Sequence, residues 1–183
     1  LKKILDEIDV IKGKSNRKEV YADVKFVEPI LEYIVNDFEK FRLTTGDSSI
    51  GAMVICDSSE QAEKLKEVFD YTYADTSDKE VESNLAADPL IPYSVKKSNQ
   101  NKVTSAALIL HDTGTKLGRE DLIEDFKHGK VDLLFVYNML LTGFDAPRLK
   151  KLYVTRVIKA HNLLQALTRV NRAYKDFRYG YVV

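Results

Sequence analysis

The chain has 183 residues, of which 44% are hydrophobic and 31% charged, and its formal net charge is zero. This length is enough for one domain with a hydrophobic core, and the neutral total indicates no class of partner. The single cysteine, Cys56, excludes a disulfide within the chain and a CxxC metal site, and the histidines lack the spacing of metal ligands. Because no signal peptide and no membrane-length apolar run is present, we expect a soluble, cytoplasmic protein.

The first 45 residues are predicted to be mostly helical. Apolar side chains recur there every three to four residues, at Phe26, Ile30, Ile34, Phe38 and Phe41. Turn-forming residues at 44–49 (TTGDSS) end this segment. We interpret 1–45 as a helical linker or a segment that packs on a neighbouring domain, and 46–183 as one domain.

Residues 51–56 (GAMVIC) are predicted to form a short buried strand. Ser58 and Gln61 follow with the spacing of a capping box, which predicts that a helix begins there. The stretch 71–105 is polar, acidic and without a clear period. It is either a long irregular insert or a segment from which residues are missing, because compact domains rarely contain such long unstructured loops.

Strands and helices alternate in the second half of the chain. The predicted strands are 106–110, 131–137, 152–155 and 179–183, and the predicted helices are 119–127 and 161–174. Gly129 is placed to end the first of these helices. Since several of the strands are apolar throughout, the fold class is α/β, with a mainly parallel sheet covered by helices on both faces. The first residue is Leu1 and the last strand stops mid-pattern, so we expect the chain to be a fragment of a larger polypeptide.

Candidate functional residues follow the predicted strands, where open parallel sheets bind their ligands. They are Asp57 and Ser58, His111 and Asp112, the segment 138–147, and Arg156. Within that segment Gly143 permits close approach of the backbone to a ligand, and Asp145 can accept a hydrogen bond from a ribose hydroxyl. A plain strand-to-helix turn would use the same glycine, aspartate and proline, and this alternative stays open.

The predicted C-terminal helix carries an arginine pair. On a regular helix Gln165, Arg169 and Arg172 would lie within about 60° of one another. Apolar residues occupy the other side, at Leu163, Ala166, Leu167, Val170 and Tyr174. Two guanidinium groups facing a neighbouring turn suit a polyanion, especially a nucleotide phosphate. The alternative is a surface helix with scattered positive charge.

Charge is unevenly distributed along the chain. Residues 57–88 contain ten acidic residues against three lysines, net −7, whereas 148–183 contains nine basic residues against one aspartate, net +8. The C-terminal fifth is therefore predicted to form a basic patch for a phosphate-rich partner. The alternative is a solvated basic face balanced by the acidic segment.

Three stretches resemble motifs of the second RecA-like domain of superfamily 2 helicases. ICDSSEQA (55–62) resembles motif IV, VYNMLLTGFDAP (136–147) resembles motif V, and QALTRVNR (165–172) resembles motif VI. Motif VI usually reads Q-x-x-G-R-x-G-R, so Thr168 and Asn171 replace its two glycines. The wording NMLLTGFDAPRLKKLY…HNLLQALTRVNRAY resembles, more particularly, the motor-containing R subunit of type I restriction endonucleases. The resemblance is strong over 106–183 and weaker elsewhere.

The resemblance implies roles for individual residues. Gly143 and Asp145 would line a nucleotide, Gln165 would position it, and Arg169 and Arg172 would contact its phosphates, with Arg172 as the arginine finger. The residues implied to face nucleic acid are Ser58 with the loop after it, His111, Asn138, Leu141 and Thr142. No metal ligands are implied.

The resemblance also implies a function and partners. The chain would be the second motor domain of an ATP-driven double-stranded DNA translocase in a type I restriction enzyme, acting with methyltransferase and specificity subunits. The sequence contains no G-x-x-x-x-G-K-[ST] loop, no acidic magnesium box and no nuclease site. ATP and Mg²⁺ would then be held mainly by a preceding RecA-like domain, and the fragment alone would be inactive. Two alternatives stay open, another superfamily 2 motor and a non-catalytic nucleic-acid- or protein-binding module.

Overall fold

The computed structural model describes residues 20–74, 102–111, 114–137, 144–158 and 160–183. The strands are β1 (Gly51–Ile55), β2 (Ala106–Ile109), β3 (Leu133–Val136), β4 (Leu149–Val154) and β5 (Tyr181–Val182). The helices are α1 (Val24–Thr45), α2 (Ser59–Thr72), α3 (Lys116–Lys127) and α4 (Ala160–Val170). Of the predicted helical segment 1–45, residues 1–19 lie outside the described residues, as do 75–101 of the predicted insert.

Short polar contacts determine where the helices begin and end. The Asp23 carboxylate accepts from the Lys25 amide at 3.0 Å and caps the start of α1. Gly46, with a φ of 68°, ends α1 in the left-handed conformation that glycine adopts without strain. Gly129, with a φ of 85°, follows the end of α3 as predicted.

The five strands form one sheet in the order β2-β3-β1-β4-β5, and every neighbouring pair is parallel. This confirms the predicted α/β class with a parallel sheet. Because all strands point the same way, the sheet has one edge where the strands start, the amino edge, and an opposite edge where they end, the carboxyl edge. Of the described helices, none is long and apolar enough to cross a membrane.

Alternate residues of each strand face two separate cores. Ala52, Val54 and Cys56 contribute to the core under α1 and α2, and Met53 and Ile55 contribute to the core beneath α3 and α4. Helices therefore cover both faces of the sheet, as predicted. The Cys56 thiol is fully buried, and this burial raises its pKa well above the ordinary value, which makes it a structural residue.

Two buried arginines organise the amino edge. Arg42, at the end of α1, donates to the Ile50 carbonyl at 2.6 Å and to the Asp132 carboxylate at 2.6 Å. Arg148, just before β4, donates to the carbonyls of Ser49 at 2.7 Å and Val131 at 2.7 Å. Each guanidinium thus satisfies carbonyl groups that precede the strands, where no ladder partner is available. Burial lowers the pKa of Arg148, and the neighbouring Asp132 opposes that effect.

Candidate functional site

The arginine pair lies where α4 ends. α4 stops at Val170, so Arg169 is in its last turn and Arg172 is two residues beyond it. The predicted helix over 161–174 was therefore too long, and the expectation of one helical face with Arg172 on it is wrong. Gln165 lies one turn before Arg169, where its amide is 3.0 Å from the His161 ring nitrogen.

Arg172 faces Asp145. The Arg172 Nη1 and Asp145 Oδ1 atoms are 2.5 Å apart, and the two side chains are 38% and 56% exposed. The Arg169 Nε is buried and has no hydrogen-bond partner among the described residues. One arginine of the pair thus has a carboxylate partner, and the other has a buried donor left to satisfy. Gly143 lies outside the described residues.

This group lies at the amino edge of the sheet. Lys150 is buried and is the second residue of β4, and its ammonium group donates to the Arg172 carbonyl. The Tyr174 hydroxyl is 3.1 Å from the hydroxyl of Ser49, which precedes β1. The segment 138–147 was expected to lie beyond the carboxyl end of β3. Asp145 instead lies just before β4, at the amino edge of the sheet.

Gly180 fits closely against the end of α4. A Cβ at Gly180 would lie 1.9 Å from Val170 Cγ1 and 2.5 Å from the Val170 carbonyl oxygen. The Gly180 amide also donates to Asn171 Oδ1 at 3.3 Å, beside Arg172. The turn that carries Arg172 therefore depends on a residue without a side chain at this position.

We expect Gly180→Ala to destabilise the chain by about 1–3 kcal/mol, because α4 and β5 must separate to accept the methyl group. Urea unfolding of the 183-residue chain would measure this loss. Gly118→Ala is the control, since its Cβ would meet only the Thr115 hydroxyl, at 3.3 Å. Equal midpoints for the two variants would contradict the expected close contact.

The carboxyl edge carries a second polar group. The buried Ser58 hydroxyl accepts from the Gln61 amide at 3.1 Å and caps α2, which confirms one half of the predicted capping box. The Gln61 side chain does not return to Ser58. Its Oε1 accepts from the Asp57 amide at 2.7 Å and from the Thr155 hydroxyl at 2.8 Å, while its Nε2 is buried with no partner in the part of the chain that the structure describes. These contacts join β1, α2 and β4 at one corner.

Some of the other residues expected to contact nucleic acid are among the described residues, and some are not. His111 is exposed at the end of β2, on the same edge as Ser58. The Arg156 guanidinium, after β4, stacks 5.1 Å from the centre of the Tyr137 ring, after β3. Asn138, Leu141 and Thr142 lie outside the described residues. The expected site residues therefore occupy two opposite edges, separated by the length of β4, about 17 Å.

The basic C-terminal segment is not one open surface. Arg148, Lys150 and Lys151 are buried inside the protein, and Lys175 pairs with Asp47 at 3.1 Å. The prediction of a basic patch over 148–183 was wrong for Arg148, Lys150 and Lys151, because sequence position does not reveal which charges turn inward. Sequence reasoning also missed the lysine that contacts the Arg172 carbonyl, since buried lysine is rare and the strand pattern alone gives no sign of it.

The amino-edge group is suited to bind an anion with attached hydroxyls. Guanidinium groups bind phosphate oxygens in a forked geometry, and a carboxylate accepts from a sugar hydroxyl. Among the described residues, no three His, Cys, Asp or Glu side chains are grouped so that they could hold a metal ion. The arrangement therefore offers donors for phosphate oxygens and an acceptor for a sugar hydroxyl.

Comparison with known families gives a match over most of the chain. Residues 32–183 match the sequence model of type I restriction enzyme subunit R, domain 3. The putative type I restriction enzyme MjaVIIP endonuclease subunit of Methanocaldococcus jannaschii is 53% identical over 51 residues, 28% of this chain and 5% of that protein. The MjaVIIIP endonuclease subunit of the same organism is 29% identical over 193 residues, covering 96% of this chain and 16% of its own length. The chain thus spans a small part of these relatives.

A solved helicase domain has a similar fold. The structure of Mss116p DEAD-box helicase domain 2 bound to an RNA duplex has a TM-score of 0.53 to this chain. The similarity covers 89% of this chain and 49% of that one, at 14% sequence identity. The five-stranded parallel sheet with its helices is therefore a fold of the RecA-like helicase type.

Proposed function

Because the chain belongs to the family of domain 3 of the type I restriction enzyme R subunit, we propose that it is the second RecA-like motor domain of an ATP-dependent double-stranded DNA translocase. Arg172 and Arg169 would reach the phosphates of an ATP molecule bound between this domain and a preceding one. Asp145 and Gly143 would line the ribose side of that site, and Gln165 would support it. The whole enzyme would be a type I site-specific deoxyribonuclease.

The observation that carries this proposal is the half-exposed ion pair of Arg172 with Asp145. Ion pairs with this exposure contribute about 0–1 kcal/mol, so Arg172 can exchange Asp145 for a phosphate at little cost. The buried, unpartnered Nε of Arg169 supports the same interpretation, because an acceptor from a bound ligand would satisfy it. The resemblance to motif VI and these side-chain contacts both support the proposal.

We further propose that double-stranded DNA lies across the carboxyl edge. Ser58 and His111 lie at this edge, and the resemblance adds Asn138, Leu141 and Thr142 as residues that would contact the DNA. Since the Ser58 hydroxyl is buried in its cap, Ser58 would act by holding the first turn of α2 in place rather than by touching DNA. With ATP at one edge and DNA at the other, closure of the nucleotide cleft would move the DNA-bound edge as part of one rigid sheet.

ATP and Mg²⁺ are proposed as the cofactors, held mainly by the preceding RecA-like domain. This is supported by the sequence, which contains neither a phosphate-binding loop nor an acidic magnesium box. ATP hydrolysis would supply the free energy for translocation. The arginines of this domain would neutralise charge on the transferring phosphoryl group. Methyltransferase and specificity subunits are the proposed protein partners.

ATP hydrolysis by the chain and by the full-length subunit tests this function. We expect no turnover from the purified 183-residue chain, and turnover from the full-length subunit in its complex that is stimulated by duplex DNA but not by duplex RNA. Robust turnover by the chain alone would contradict the shared site. Stimulation by RNA would favour a different superfamily 2 motor, and DNA binding without any ATP turnover would favour a non-catalytic module.

A further inference from the structure

β4 contains a bulge directly after it begins. Gly51 of β1 lies opposite Leu149, but the next residue, Ala52, lies opposite Lys151. Lys150 is therefore the extra residue, without a partner in the ladder. Bulges of this kind bend a strand and re-aim one side chain, and they occur often beside functional sites.

The side chain of this extra residue is a fully buried lysine. Lys150 has no exposed surface, and no carboxylate among the described residues forms an ion pair with it. Its ammonium group donates to the main-chain carbonyl of Arg172. Burial lowers the pKa of Lys150, as expected for a cation with little solvation. Burial of a lysine at this position costs free energy of folding. An apolar side chain would therefore fill the same space at lower cost.

The contact between Lys150 and the Arg172 carbonyl holds a segment that lies past the end of α4. Arg172 lies past the end of the helix, and its carbonyl has no helical partner. On the other side of the turn, Lys175 donates to Ser49 at 2.6 Å. The buried ammonium thus ties the backbone of Arg172 to β4, close to Asp145.

We propose that Lys150 is a positioning residue for Arg172: the bulge in β4 turns its ammonium group onto the Arg172 carbonyl and holds that arginine where it reaches the nucleotide. This inference rests on the proposed function, because it assigns a support to the proposed arginine finger. It predicts an effect on the chemical step, since an arginine finger acts on charge that develops in the transition state.

The neighbouring residue, Lys151, provides a matched control. Lys151 is also a lysine of β4 and is only 7% exposed. Its ammonium group contacts α1, where it lies 2.8 Å from the Asp37 carboxylate. Loss of Lys151 therefore measures the effect of removing a buried lysine from β4 without removing a contact to Arg172.

The experiment compares Lys150→Met, Lys150→Arg and Lys151→Met in the full-length R subunit within its complex. We expect Lys150→Met to lower kcat for DNA-stimulated ATP hydrolysis about 10²-fold, the scale of a 1 Å misplacement, with KM for ATP little changed. Lys150→Arg keeps a donor of similar reach and is expected to recover most of this turnover. Lys151→Met is expected to stay within about threefold of the wild type in kcat.

The outcomes separate this inference from the proposed function. Equal kcat values for Lys150→Met and Lys151→Met, or Lys150→Met as active as Lys150→Arg, would overturn the positioning role. If Arg172→Ala abolishes turnover while Lys150→Met keeps a kcat close to that of the wild type, only this inference fails. If Arg172→Ala leaves turnover unchanged, the finger assignment itself fails. Should Lys150→Met not fold in thermal unfolding, Lys150→Arg decides, because a tenfold loss of kcat in that folded variant would contradict rescue by a retained donor.

Discussion

Arg172→Ala is expected to lower DNA-stimulated ATP hydrolysis by the full-length R subunit about 10³–10⁵-fold, the range known for arginine fingers in phosphoryl transfer. The guanidinium of Arg172 is partly exposed, and its only ion pair among the described residues is the exposed one with Asp145. Its removal is therefore expected to cost about 1 kcal/mol of stability or less. Steady-state kinetics with saturating duplex DNA would measure the loss of kcat.

Arg178→Ala is the matched control for this change. Arg178 is an exposed arginine in the same C-terminal segment and has no assigned role. We expect this variant to retain turnover close to that of the wild type, and both variants to unfold at similar temperatures. Near-wild-type turnover in Arg172→Ala would rule out Arg172 as the finger, whereas equal losses in both variants would indicate a general effect of positive charge.

Asp132→Ala is expected to have the largest effect on stability, a loss of about 3–5 kcal/mol. Its carboxylate accepts from buried Arg42 at 2.6 Å and from the Ser105 hydroxyl at 3.0 Å. Removal of the Asp132 carboxylate leaves the buried Arg42 guanidinium without an opposite charge. The pair lies where α1, the segment before β2 and the start of β3 meet. Urea unfolding of the 183-residue chain would measure this loss.

The double variant Arg42→Met, Asp132→Ala tests the cause. Because it removes both charges, it is expected to lose less stability than the sum of the two single variants. Lys40→Met, an exposed position on the same helix, is expected to change stability by about 0.5 kcal/mol or less. Additive losses from Arg42→Met and Asp132→Ala would show that the two side chains do not act as a pair.

The order of elements could be predicted from the sequence because it depends on local patterns. Apolar runs gave β1, β2 and β3 within one or two residues, and the spacing of Ser58 and Gln61 predicted the start of α2. The end of α4 could not be predicted in this way. Its apolar periodicity continues to Tyr174, but contacts with Lys150 and Gly180 take the chain out of the helix after Val170.

The geometry of the site depends on contacts between distant parts of the chain. The motif resemblance selected Asp145 and Arg172, which the structure brings to 2.5 Å. It did not indicate that these residues and Ser58 lie at opposite edges of the sheet, because β4 begins at Leu149, earlier than the predicted strand 152–155, so that Asp145 leads into β4. Arg42 and Asp132, ninety positions apart, carry no local sign of their pairing. The basic composition of 148–183 was misleading for the same reason.

Binding of a transition-state analogue tests the central claim most directly. The claim is that Arg172 contacts the transferring phosphoryl group in an ATP site shared with a preceding domain. The measurement compares the affinity of the full-length, DNA-bound subunit for ADP with aluminium fluoride and for ADP alone. We expect the wild type to bind the analogue at least about 10²-fold more tightly, and Arg172→Ala to lose most of this difference while it keeps its affinity for ADP. An undiminished preference for the analogue in Arg172→Ala would contradict the account.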